Sequence, residues 1–165
     1  MRRAGVAAVA VVGVVGGVLT LTGCGAVDLP LAGVRVAADA SAWALIRPCG
    51  DDDYRTPSLD GWAGAAGNGA STTGWEVKQE KLRGDADFPL FSPPADWKAR
   101  HRGAQRLLPK HHYSLTFGHY VTGDSYNGIA DFSAENIAKL KPGQVWADGR
   151  AMSRGAFEKR AADSC

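Results

Sequence analysis

From Val34 onward, apolar and polar residues alternate along much of the chain with the period of two that a half-buried strand imposes. Val34 and Val36 flank Arg35, and Trp43, Leu45, Arg47 and Cys49 alternate with Ala42, Ala44 and Ile46. Asp39 and Ser41, between these runs, predict a hairpin turn. Residues 74–81 alternate again and put Trp75 and Val77 inward. The best strand covers residues 111–120, where Tyr113, Leu115 and Phe117 face one way and Ser114 and Thr116 the other. Residues 144–147 and 150–152 flank Asp148-Gly149, a two-residue hairpin signal. Helix is expected twice. Ser133 caps a single turn through Leu140, which Pro142-Gly143 ends, and Ser153 caps a last helix over 154–163 with Phe157 on its inner side.

The intervening stretches read as loops. A turn is expected at Pro57, residues 63–74 are a flexible loop of small residues, and 85–97 is irregular because of Pro89, Pro93 and Pro94. Trp43, Trp75 and Trp146 fall in predicted strands and belong to the core, whereas Trp62 and Trp97 fall in loops and are expected at the surface. Short strands at loop-rich spacing, closed by a helix, define a mainly β, sandwich-like single domain with a short C-terminal helix.

The N-terminal segment has a different pattern. Arg2 and Arg3 precede an uncharged run of Val, Ala, Gly and Leu over residues 4–23, the order of a signal peptide. Leu21-Thr22-Gly23-Cys24 closes it and resembles the lipobox of bacterial lipoproteins. The resemblance implies a diacylglyceryl group on the Cys24 sulfur, cleavage between Gly23 and Cys24, and acylation, as with palmitate, of the new amine. Two acyl chains anchor stably where one binds only marginally, each buried methylene contributing about 0.8 kcal/mol. The expected organisation is a lipoprotein signal peptide over 1–23, a lipidated tether over 24–33 and a β-rich extracytoplasmic domain over 34–165, preceded at the cell membrane by its lipid. Two readings compete: an uncleaved transmembrane helix, since about 20 apolar residues span a bilayer, and an ordinary cleaved signal peptide with free release.

Removing the leader leaves 142 residues, enough for one ordinary core. Arg2 and Arg3 leave with it, so 17 basic residues then face 17 acidic ones and the overall charge of +2 indicates no partner. Of three cysteines, Cys24 is assigned to lipid; Cys49 and Cys165 form a pair that oxidises outside the cytoplasm. The strand into Arg47-Pro48-Cys49-Gly50 and the run Lys141-Pro142-Gly143-Gln144-Val145-Trp146 resemble small lipoproteins of actinobacteria, which implies the same address and no particular activity.

Candidate chemistry is sparse. Gly123-Asp124-Ser125 resembles the serine block of GDSL-type hydrolases, but that family's histidine base lies near the C-terminus and this chain has no histidine after His119. His111 and His112 beside Asp51-Asp52-Asp53 invite a metal site, yet adjacent strand residues point to opposite faces, and the aspartates lack the alternation of a calcium loop. No metal, cofactor or catalytic residue is therefore assigned. Lys98, Arg100, Arg102, Arg106 and Lys110 form a basic stretch, a candidate contact for a membrane surface, an anionic envelope polymer or another envelope protein. Nucleic acid is not expected outside the cell. The expected function is a lipid-anchored binding or interaction module, with a cell-surface enzyme as the alternative.

Overall fold

A computed structural model describes residues 25–64, 70–120 and 125–165. The leader and Cys24 lie outside these residues, as do Gly123 and Asp124. The strands are β1 (Val27–Leu29), β2 (Ala32–Val36), β3 (Ala42–Ile46), β4 (Arg55–Ala63), β5 (Thr73–Glu76), β6 (Ala86–Pro89), β7 (Arg100–Arg102), β8 (His111–His119), β9 (Tyr126–Ser133), β10 (Gln144–Ala147) and β11 (Arg150–Ser153). The helices are α1 (Ala134–Ala138) and α2 (Arg154–Ser164). A six-stranded sheet, ordered β1-β9-β8-β4-β5-β7, packs on a five-stranded sheet ordered β11-β10-β2-β3-β6. The chain is thus mainly β and sandwich-like, with a C-terminal helix.

The alternation in the sequence is the alternation between core and surface. Tyr113, Leu115 and Phe117 of β8 face Ala32, Val34 and Val36 of β2 across a core that also takes Leu59, Trp75, Phe88, Ala130 and Phe132. Edge-to-face ring pairs run through it, among them Tyr54 on Phe117 at 5.2 Å and Phe88 on Trp97 at 5.1 Å between centroids. Burial pushes the Tyr54 hydroxyl up to about 12. β3 is buried on both faces. Ala44 and Ile46 enter the main core, while Leu45 joins Val145, Ala147 and Phe157 in a second cluster beneath α2. A Cβ at Gly33 would meet Val145 Cγ1 at 2.8 Å and the Phe157 ring at 3.2 Å, so glycine on β2 is what lets α2 seat its phenylalanine.

Arg47, 7% exposed, clamps three elements together. Its guanidinium donates to both Glu158 oxygens at 2.8 and 2.9 Å and to the carbonyls of Ile46 and Ala86, and it pairs with Asp87 at 2.8 Å. Burial opposes its charge, but the bonds to Glu158 and Asp87 prevail and raise its pKa. Both helix caps form where the serines predict them. Ser133 closes a reciprocal capping box with Asn136, and Ser153 Oγ accepts from Ala156 N at 3.2 Å. Asp148 and Gly149 both adopt positive φ, 51° and 69°, as a two-residue hairpin of the twisted kind requires.

Four expectations need correction. Residues 24–33 are not all tether: Val27–Leu29 pairs in parallel with β9, and Leu31 and Ala32 are fully buried. The chain at Pro57 does not turn but continues through β4, where a register shift between Arg55 and Ser58 places proline's missing N–H in an interruption of the ladder. Residues 86–89 are strand, because β3 offers a partner edge and Phe88 fills the core. Trp97 is 6% exposed, carried inward by a 3-10 turn over Ala95–Trp97, and Trp62 lies in β4.

Candidate functional site

Side chains of β1, β9, β8 and β4 form a continuous row across the outer face of the six-stranded sheet at one end. Asp28 opposes Asn127, which opposes Gly118, which opposes Arg55. Tyr120 lies two residues beyond Gly118 and so on the same face. A Cβ at Gly118 would collide with its ring, so the absent side chain lets the tyrosine lie back over the strand. Its hydroxyl donates to Asn127 Oδ1 at 2.8 Å, and Asn127 Nδ2 donates to Asp28 Oδ1 at 2.9 Å. The Arg55 guanidinium carbon stands 5.5 Å from the Tyr120 ring centroid, within cation-π range.

A cleft of about 240 Å³ opens beside this row, lined further by Thr56, Thr116 and Ile129. It is smaller than the roughly 300–1,000 Å³ of sites for drug-sized ligands. One carboxylate, one amide, two threonine hydroxyls and an aromatic ring supply its chemistry. The bonds within the row fix the orientations of Tyr120, Asn127 and Asp28, which lowers the ordering cost of binding.

Beneath the same end lies a buried polar cluster. His119 stacks on Tyr126 with 5.0 Å between ring centroids, its Nδ1 2.6 Å from the Asp53 carbonyl oxygen and its Nε2 3.9 Å from Asp52 Oδ2. Tyr126 Oη accepts from Cys49 N at 3.0 Å and donates to Asp52 Oδ2 at 3.3 Å, and burial raises its pKa. Cys49 and Cys165 stand at disulfide distance, with sulfurs 2.12 Å and Cα atoms 5.4 Å apart. The acidic turn therefore meets His119, whereas His111 and His112 begin β8 at its far end. Among the described residues no three His, Cys, Asp or Glu side chains converge as a metal site requires.

The basic stretch is partly neutralised within the fold. Arg102 pairs with Asp60 and with Glu76 at 3.3 Å, and Arg100 approaches Glu76 at 3.7 Å, because β7 lies against β5. Glu76 is a cross-strand neighbour on β5, and Asp60 lies one strand further, on β4 opposite Gly74. Lys98, Arg106 and Lys110 are exposed. Sequence reasoning missed the Asp28–Asn127–Tyr120–Arg55 row: the alternation of β8 was legible, but nothing local announced which residues of other strands would align beside it. Comparisons of this chain with family models, with curated proteins and with solved structures find no match.

Proposed function

We propose that the chain is a lipid-anchored extracytoplasmic binding or interaction module, held to the cell membrane through Cys24, that uses the cleft beside Tyr120 to take a polar group of its partner. The leader and lipobox support the address, and the oxidisable pair Cys49 and Cys165 fits a compartment outside the cytoplasm. The preorganised row from Asp28 to Arg55 carries the binding reading, because aligned polar groups around a concavity are what recognition of a ligand needs. The exposed cations Lys98, Arg106 and Lys110 are available to an anionic envelope polymer or another envelope protein as a secondary contact.

A photo-crosslinking amino acid at Ile129, inside the cleft, tests this in intact cells against the same group at exposed Lys141. Adducts specific to position 129, and lost when Gly118→Val displaces the Tyr120 ring, are expected. Equal labelling at both positions would remove the cleft as the binding site.

A further inference from the structure

Among the described residues, the two large apolar side chains left exposed are Val27, at 57%, and Tyr120, at 46%. They lie at one end of the same sheet. Val27 is paired with Tyr126 at the start of β9, and Tyr120 follows directly on His119, which is paired with that same Tyr126. Val27 and Tyr120 project from opposite faces of the sheet, because Tyr120 shares the face of Asp28 and Val27 is the strand residue beside it, yet both lie at the end where the chain meets its anchor.

Only Gly25 and Ala26 separate Cys24 from β1. Three Cα steps reach at most about 11 Å, so Val27 cannot stand further than that from the lipid-bearing residue. A diacylglyceryl thioether places Cys24 near the boundary between acyl chains and headgroups, and each headgroup layer is about 5–8 Å thick. β1 is fixed by its ladder to β9 and by Val27 N donating to Ser125 O at 3.2 Å, so this end of the domain stays within that short reach of the lipid unless the sheet breaks.

We infer that this end of the six-stranded sheet rests on the outer surface of the bilayer, with the Val27 side chain and the Tyr120 ring in the headgroup layer. Tyrosine suits that layer, its ring being apolar and its hydroxyl already bonded to Asn127. Charge at this end is mixed: Asp28 and Arg55 stand in the row, and Asp53 is bonded to Arg83. The contact therefore rests on side-chain burial and not on attraction to anionic lipid. The cleft opens at the height of the headgroups, which restricts its ligands to molecules present at the membrane surface. This inference depends on the anchoring of Cys24 proposed above.

The test places a nitroxide at Tyr120→Cys, at Val27→Cys, and at Ala63→Cys as a control, in the full-length processed protein. Ala63 pairs with His111, seven residues along β8 from Gly118 and so about 23 Å away. In phosphatidylcholine vesicles, labels at 120 and 27 should collide with oxygen several-fold more than with an aqueous nickel chelate, and the label at 63 the reverse. Val27→Cys keeps the test open if Tyr120→Cys does not fold. Labels at 27 and 120 as water-accessible as the control, on protein whose mass includes the acyl chains, would overturn the inference and leave the anchor standing. Shielding in native envelopes but not in pure lipid would assign the patch to a protein partner and also overturn it. A mass without acyl chains would instead remove the anchor.

Discussion

Replacing Cys49 and Cys165 by alanine together should cost about a third or more of the stability of the domain while leaving the native fold in place. The two residues are 116 apart in sequence, so their bond closes a loop around nearly the whole domain. In the chain-entropy model such a loop restricts the unfolded ensemble by about 4.8 kcal/mol, against a total of about 5–15 kcal/mol for an ordinary domain. The native state should keep its shape, because α2 remains docked through Phe157 under the second cluster and through Glu158 on Arg47. Urea unfolding of the detergent-solubilised protein, followed by tryptophan fluorescence, measures the effect. At an m-value of about 2 kcal/mol/M the midpoint should fall by about 2.4 M, and m should rise as the freed unfolded chain exposes more surface. Near-ultraviolet circular dichroism should be unchanged. A loss below about 1 kcal/mol with constant m would refute the reasoning.

The Arg47 clamp gives an asymmetric expectation. Arg47→Ala should cost about 2–4 kcal/mol, since it strips donors from the Ile46 and Ala86 carbonyls as well as from Glu158 and Asp87, whereas Glu158→Ala should cost about 1 kcal/mol because Asp87 and Asp85 still hold the guanidinium; equal losses in urea would contradict the clamp. The Glu158 carboxyl is held below its ordinary value of 4.5, chiefly by the Arg47 bond. Folded protein binds fewer protons there than unfolded protein, so this stabilisation is complete above that value and is lost as pH falls through it and below. Glu158→Gln should flatten the fall of the urea midpoint from about pH 5 downward, and an unchanged slope there would exclude Glu158 as its source.

What the sequence disclosed about the fold was whatever a local period carries. β8, with Tyr113, Leu115 and Phe117 on one side, the β10–β11 hairpin around Asp148-Gly149, and both serine caps stand where the pattern put them. Strands defined by their partners stayed hidden. Pro57 argued against β4, yet the bulge beside it absorbs the missing donor. Residues 86–89 look irregular until the edge of β3 is there to pair with them, and Trp97 seemed exposed because a 3-10 turn that buries one residue leaves no periodic trace. The Cys49–Cys165 pairing was legible because the lipobox resemblance assigned Cys24 to lipid and left one pair. The row on the outer face was not legible, because Asp28, Arg55 and Asn127 come from three strands and Tyr120 from the end of a fourth, and their alignment depends on register across the sheet.

The account stands on one sulfur, and the intact mass of the protein extracted from its own envelope addresses it most directly. The expected chain begins at Cys24, lacks residues 1–23, carries a diacylglyceryl group on that residue and partitions into detergent. Cys24→Ser should show no acyl mass while the domain from Val27 onward keeps its core. A wild-type chain that begins at Met1, or one that begins at residue 24 without lipid, would contradict the account.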